Sequence, residues 1–147
     1  RGRRCLVPVD GFYEWRKDPE GKTPHWIARP DRGVFTLAGV WERWRDGAGG
    51  QVRSFAILTT DSNGLVAPIH DRMPVVIPPD RRALWLDAGT GPGDLEALLH
   101  PPPEGELEAW PVAPLVNRPV NDGPELLDWV PGVRQPPHRR RETPGTP

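Results

Sequence analysis

The chain has 147 residues, a formal net charge of −1 and 36% hydrophobic residues. This length corresponds to one domain with a buried core, and the near-neutral charge argues against a uniformly basic nucleic-acid-binding surface. A single cysteine excludes an internal disulfide and, with only four scattered histidines, disfavours a zinc site. Proline and glycine make up about a quarter of the chain, but seven tryptophans favour an ordered domain with many turns.

The first half of the chain contains short apolar and aromatic runs that are typical of strands. We predict strands over residues 4–9, 12–15, 25–28, 34–41 and 55–60, with turns at 16–22 and 30–33 and a flexible loop at 46–50. Trp41 and Trp44, with the charges between them, are expected to end the strand that begins at Val34.

The second half has shorter elements between turn residues. Asp61, Ser62 and Asn63 have side chains that cap free backbone N–H groups, so we predict a helix there that Pro68 interrupts. We also predict strands at 75–77 and 107–112, helices at 80–87 and 94–99, and a stiff linker at 101–103. Many short strands with few short helices indicate an α+β domain built on antiparallel sheet.

The end of the chain differs in composition from the rest. After about residue 132 it has prolines and arginines without apolar periodicity. We therefore predict one domain over residues 1–132 and a disordered, basic, proline-rich tail over residues 133–147.

Glu14 is an unusual residue for its context, because it lies between Tyr13 and Trp15 in an apolar strand. Alternation places Glu14 on one face with Phe12, and the other two aromatic residues on the opposite face. Partial burial of a carboxyl favours its neutral form, which suits proton transfer. The pattern alone favours the plainer interpretation, an exposed glutamate on an edge strand.

The segment 69–74 is a polar island between apolar runs. It contains His70, whose imidazole can relay protons near neutral pH, and Arg72, which can hold a phosphate or carboxylate. The alternative is a structural histidine beside an Asp71–Arg72 ion pair. The pattern alone leaves both interpretations open.

Two further interpretations concern Cys5 and the basic residues. A Cys5–His70 dyad would make a thiol nucleophile, but a small cysteine in an apolar strand is more often structural. Arginines near the start could contact phosphates, and Trp15, Trp26 and Trp41 could stack on bases, although core roles are favoured for most of the tryptophans.

Four sequence blocks together resemble the SRAP family, the SOS response-associated peptidases or abasic-site-processing proteins. The blocks are Arg4–Trp15, Leu37–Glu42, Phe55–Thr60 and Pro68–Pro74, in the order and with the spacing of the family, and the resemblance covers residues 3–127. It implies a barrel-like fold of mostly antiparallel sheet. It also implies shielding of abasic sites in single-stranded DNA by a covalent thiazolidine crosslink, together with self-processing peptidase and lyase-like activity.

Carried over to this sequence, the resemblance implies catalytic proton transfer by Glu14 and His70, and DNA binding by Thr59 and Arg72. It implies no cofactor and no metal. The family crosslinks DNA through an N-terminal cysteine, because only a chain-terminal cysteine offers an amine and a thiol on adjacent carbons. Cys5 is internal and matches a strand position in the family, so no nucleophile is assigned in this chain.

The sequence also departs from the family. It starts at Arg1, its only methionine is Met73, and the family's Met-Cys-Gly-Arg start and Asn-Ala-Arg block are not present. We therefore expect a fragment or an N-terminally deleted product, with apolar sheet faces left exposed, marginal stability and no crosslinking of its own. The alternatives are a catalytically inactive protein that still binds single-stranded DNA, and a Cys5-dependent thiol peptidase. We expect a monomer in the bacterial cytoplasm, associated with the nucleoid and not with a membrane.

Overall fold

The computed structural model of the protein describes residues 2–45 and 47–130. Its strands are β1 (Arg4–Val9), β2 (Gly11–Asp18), β3 (Gly21–Ala28), β4 (Phe35–Arg45), β5 (Gln51–Ile57), β6 (Thr59–Asp61), β7 (Arg72–Pro74) and β8 (Glu108–Pro111). The α-helices are α1 (Arg82–Leu86) and α2 (Pro92–Glu96), and short 3-10 helices cover Pro79–Arg81, Pro114–Asn117 and Pro124–Leu127. None of the helices in this part of the chain is long and apolar enough to cross a membrane.

The strands form three small sheets with antiparallel pairing throughout. Their orders are β1-β4-β5, β2-β3-β8 and β6-β7. The predicted class, α+β with mostly antiparallel sheet, is confirmed. The expected barrel-like closure is not, because among the described strands β1 and β5 end one sheet, β2 and β8 end another, and no pairing joins these edges.

The core consists of three clusters of buried side chains. The first cluster is Ile27, Phe35, Leu37, Val66, Met73, Leu107 and Ala109. The second is Trp26, Ala28, Trp110 and Val112, and the third is Ala38, Val75, Ile77 and Trp85. Alternation along β3 sends Ile27 to the first cluster and Trp26 to the second, so the sheet β2-β3-β8 is covered on both faces.

Several predicted elements differ from the structure. The turn predicted at 16–22 is confined to residues 19–20, because β2 and β3 pair along their full length. The helix predicted from Asp61 is a series of turns over residues 64–69, because Pro68 lacks the N–H that a continuous helix requires. The fourth strand continues to Arg45, since its end pairs with β5 in a hairpin. The strand predicted at 55–60 breaks at Leu58 into β5 and β6.

The segment after β7 is only partly the predicted strand 75–77. It has a single bridge, between Val76 and Leu37, and two further backbone bonds to β4, from Ala38 to Val75 and from Ile77 to Thr36. It therefore joins β7 to the β1-β4-β5 sheet without forming a strand of its own.

The hairpin of β4 and β5 leaves apolar side chains exposed on both faces. They are Val40, Trp41, Trp44, Val52, Phe55 and Ile57, with 37–60% of their surface exposed. This matches the exposed apolar sheet faces expected from the sequence. The predicted tail, residues 133–147, and the domain boundary at residue 132 lie outside the described residues.

Candidate functional site

The strands β6 and β7 form a small hairpin-like unit whose two faces differ sharply. On the inner side Met73 is completely buried, and the Thr60 hydroxyl donates to the carbonyl of Leu99 at 2.9 Å. Alternation then places Thr59, Asp61 and Arg72 on the outer face, where all three are exposed. Thr59 and Arg72, the two residues for which the resemblance implies DNA binding, are therefore neighbours on one surface.

Arg72 is held on that surface by hydrogen bonds to β6. Its Nη2 donates to the Thr59 carbonyl at 2.7 Å and to the Thr59 hydroxyl at 3.4 Å, and its Nη1 donates to Asp61 Oδ1 at 2.5 Å. The arrangement follows from the register, in which Arg72 lies opposite Asp61 and diagonal to Thr59. The guanidinium is thus fixed in one orientation and remains accessible to solvent.

His70 lies at the entry to β7, two residues before the arginine. The backbone N–H of Arg72 donates to His70 Nδ1 at 3.1 Å. The same ring nitrogen lies 3.1 Å from the Arg72 carbonyl oxygen and 3.2 Å from the Asp71 carboxylate. These local polar contacts hold the His70 ring at the entry to β7.

The loop that carries His70 is closed by hydrogen bonds at its base. The Ser62 hydroxyl donates to the His70 carbonyl at 2.8 Å, and the Ser62 N–H donates to the Asp71 carbonyl at 3.1 Å. Asn63 Oδ1 accepts the N–H of Val66 at 3.2 Å, so Asn63 caps the turns as the sequence indicated. These contacts hold the backbone of His70 beside β6.

Glu14 lies on β2, on the face that points towards the first core cluster. Its register partner on β3 is His25, and its face neighbour Phe12 packs against that cluster. Glu14 is half-buried. Ile69, the chain neighbour of His70, packs against the same cluster, so one piece of core supports both segments. No hydrogen bond or ion pair within residues 2–45 and 47–130 joins Glu14 to His70.

His25 had no assigned role in the sequence, yet it is 95% buried. Its Nδ1 donates to the Thr23 carbonyl at 3.0 Å, and burial lowers the pKa of its imidazole. The nearby Asp18 accepts bonds from the Thr23 hydroxyl at 2.5 Å and from Arg16 at 2.8 Å, and these bonds lower the pKa of its carboxyl. The run 25–28 is buried on both faces, so the signal that could have indicated a buried His25 was its place at the start of an apolar run.

Cys5 lies in β1 opposite Gly39 and lines a groove of about 620 Å³ with Trp41 and Phe55. No hydrogen bond or ion pair in the described part of the chain links its thiol to His70. The geometry therefore gives the Cys5–His70 dyad no support.

Most of the basic and aromatic residues considered for contact with nucleic acid instead contact other residues of the protein. Arg3 pairs with Glu42, and Arg4 lies over the Trp85 ring and donates to the Trp85 carbonyl at 2.5 Å. Among the three tryptophans considered for base stacking, Trp26 is buried, Trp15 donates to Asn117 at 2.7 Å and Trp41 is 40% exposed. Trp26 belongs to the second core cluster, which is the role favoured for most of the tryptophans.

Comparison with known proteins gives a consistent result. The family model described as SOS response associated peptidase (SRAP) matches residues 1–119. The chain is 39% identical over 128 residues to the abasic site processing protein YoqW of Bacillus subtilis, covering 86% of this chain and 57% of that protein. It is 32% identical over 147 residues to the abasic site processing protein HMCES of Xenopus tropicalis, covering 86% of this chain and 43% of the relative.

Among solved structures, a protein from Bacteroides thetaiotaomicron is similar with a TM-score of 0.80 at 29% identity. The match covers 87% of this chain and 57% of that protein. A Bordetella bronchiseptica protein gives a TM-score of 0.68, also at 29% identity, over 77% of this chain and 56% of the other. The chain thus spans about half the length of the relatives that it matches.

Proposed function

The chain belongs to the SRAP family, and from this premise we propose that it processes abasic sites in single-stranded DNA. The observation that carries the proposal is the shared exposed surface of Thr59 and Arg72, with His70 at its edge. The names of the relatives YoqW and HMCES, both abasic site processing proteins, support the same substrate.

Within this proposal, Arg72 and the Thr59 hydroxyl hold the DNA backbone at the lesion. A guanidinium fixed in one plane suits a phosphate, because its N–H groups match two phosphate oxygens at once. The exposed position of Arg72 on β7 allows DNA to reach it without any rearrangement of the core.

His70 and Glu14 are the proposed proton-transfer groups. A ring-opened abasic sugar presents an aldehyde, and its condensation with an amine requires protons to be delivered to and removed from oxygen and nitrogen. His70 assists at the sugar oxygen as the ring opens. Glu14 transfers protons during formation and reversal of the Schiff base. The self-processing peptidase and lyase-like activities implied for the family would use the same two groups.

Crosslinking of the kind implied for the family needs an α-amine and a thiol on adjacent carbons, which close a thiazolidine ring on the aldehyde. Cys5 cannot supply both groups, because its nitrogen lies in an internal amide. We propose that the protein acts as a monomer in the bacterial cytoplasm, beside the nucleoid. The second candidate is DNA binding without catalysis, and the observation that favours it is that no hydrogen bond or ion pair within the described residues links the Cys5 thiol to His70.

The test is incubation of the chain with single-stranded DNA containing one abasic site, followed by a denaturing gel and by fluorescence anisotropy. We expect binding that prefers the abasic oligonucleotide, and the same result on the denaturing gel for the unmodified chain and for C5A. A denaturation-resistant adduct that is lost in C5A would contradict the proposal that Cys5 takes no part in crosslinking. Equal binding of abasic and intact DNA would contradict the proposed lesion specificity.

A further inference from the structure

The carboxylate of Asp61 is the closest charged partner of Arg72, and it lies directly opposite in the β6-β7 register. Nη1 of the arginine is 2.5 Å from Oδ1 of the aspartate, whose side chain is 89% exposed. The sequence pattern predicts only a helix-capping role for Asp61, and the structure has turns instead of that helix. Its observed contact is therefore with a proposed DNA-binding residue.

Asp61 and Thr59 together determine where the guanidinium of Arg72 points. Three hydrogen bonds to these two residues use Nη1 and Nη2. Because a guanidinium has five N–H donors, at least two remain for a ligand, among them the Nε–H, which has no partner within the described residues. A phosphate can therefore bind Arg72 without breaking the contact with Asp61.

We propose that Asp61 is a positioning residue for DNA binding, which orients Arg72 towards an incoming phosphate. The inference rests on the proposed function of Arg72 and deepens it. An arginine side chain has several rotatable bonds, and fixing it before binding removes an entropic cost that the complex would otherwise carry. The carboxylate lies on the same outer face as the arginine, so it acts at the surface that would meet the DNA.

The proposed role and simple electrostatics predict opposite changes in DNA affinity when the Asp61 carboxylate is removed. Removing a negative charge near a polyanion should strengthen binding if charge alone matters. If Asp61 orients the arginine, its removal should weaken binding in spite of the gain in net positive charge. A purely structural role is also distinguishable, because an exposed ion pair contributes little to folding stability.

The experiment measures the affinity of the full chain for a fluorescent single-stranded oligonucleotide with one abasic site, at several salt concentrations. The variants are D61A, D61N, R72Q and the double variant D61A/R72Q. D80A is the matched control, because it also removes one exposed carboxylate that pairs with an adjacent arginine, Arg81, outside the site. Thermal unfolding of each variant provides a check on folding.

We expect D61A to weaken binding about five-fold, the upper end of the effect of an exposed ion pair, with little change in melting temperature. D61N keeps a side-chain oxygen acceptor and should recover part of the affinity, while D80A should not weaken binding. In the R72Q background, D61A should cause no further weakening, because the residue that it positions is gone.

Other results overturn the inference. Binding by D61A that is equal to or tighter than binding by D80A would show that the carboxylate acts only as a charge. An equally large effect of D61A in the presence and absence of Arg72 would show that Asp61 acts elsewhere. Unchanged binding by R72Q would overturn the proposed role of Arg72 and this inference with it, whereas weaker binding by R72Q with unchanged binding by D61A overturns the inference alone.

Discussion

Glu14 lies directly opposite His25 in the β2-β3 hairpin, so a proposed catalytic carboxyl shares a sheet face with a buried imidazole. Residues in register on adjacent strands project to the same side of a sheet. Because burial lowers the pKa of His25, this imidazole is neutral in the folded protein under conditions where an exposed histidine would be charged.

His25 should make folding stability depend on pH below about 6.5, the ordinary pKa of a histidine. Its pKa is lower in the folded chain than its ordinary value of 6.5, so the unfolded state binds the proton more readily. The contribution of His25 to the free energy of unfolding is therefore fully present above pH 6.5. It is lost as the pH falls through that value, until the imidazole of the folded chain is also protonated. Each unit of pKa difference corresponds to about 1.4 kcal/mol.

Urea unfolding at pH 7 and pH 5 measures this effect. We expect H25Q to lose stability at pH 7 but to show a smaller difference between the two pH values than the unmodified chain. H100Q serves as the control, because His100 is exposed and should leave the pH dependence unchanged. An identical pH dependence in H25Q and the unmodified chain would exclude His25 as its source.

Replacement of Arg72 by Gln should weaken binding of abasic single-stranded DNA at every salt concentration. Without the guanidinium the protein neutralises one phosphate fewer, so the magnitude of the slope of log K against log salt should fall by about 0.7, the value for a single strand. R81Q is the matched control, since Arg81 is an exposed arginine paired with Asp80 on the 3-10 helix before α1. Equal effects of R72Q and R81Q would indicate binding through net charge rather than through this site.

The thiol of Cys5 should react slowly with iodoacetamide at neutral pH. It lies beside Gly39 in the β1-β4 pairing, and within the described residues no hydrogen bond or ion pair connects it to a histidine. We expect a rate no greater than that of a free thiol peptide, and the same rate in H70A. A much faster reaction that depends on His70 would instead support the thiol-peptidase alternative.

Much of the fold follows from local patterns, and the departures have physical causes. The short apolar and aromatic runs predict that β1, β2 and β3 exist, because such runs are typical of strands. They miss residues 16–18 and 21–24, which the pairing of β2 with β3 adds to these two strands. The end of β4 escapes prediction since its charged residues are stabilised by pairing with β5, a contact that no local pattern contains. The sequence predicts a helix at the turns 64–69 because Asn63 accepts the N–H of Val66, the same bond that a capping residue makes at the start of a helix.

The candidate site could be predicted in composition but not in geometry. The polar island identified His70 and Arg72, the aromatic strand identified Glu14 as a candidate, and the resemblance added Thr59. The contact between Asp61 and Arg72 depends on the β6-β7 register across an intervening loop, which the sequence does not specify. The burial of His25 depends on the packing of β3 between β2 and β8.

The exposed apolar hairpin should limit the solubility of the isolated chain. Phe55 is 60% exposed and lies opposite Trp41 on a face with little cover. We expect F55S to raise the concentration at which the chain precipitates, with a small effect on the melting temperature. The contrasting variant is F35S, at a 4% exposed core position, which should cost about 3 kcal/mol or more and lower solubility. Lower solubility in F55S would indicate that the ring is buried in solution.

The close approach of β1 and β4 depends on Gly39. A Cβ at this position would lie 2.8 Å from Cys5 Sγ, close enough to force a shift, and 3.1 Å from a methyl carbon of Val7, which is a tight contact. We therefore expect G39A to destabilise the chain by about 1–3 kcal/mol, because the strands must separate or the side chains must leave their preferred rotamers.

A double-mutant cycle locates the cause of that destabilisation. C5A removes the sulfur that the new methyl group would meet, so G39A should cost less in the C5A background than in the unmodified chain. Denaturant unfolding of the four proteins gives the coupling free energy, and G2A, where a Cβ meets nothing within 4 Å, controls for the change from glycine to alanine. An equal cost of G39A with and without the Cys5 sulfur would show that the strand backbone, and not this side-chain contact, requires glycine.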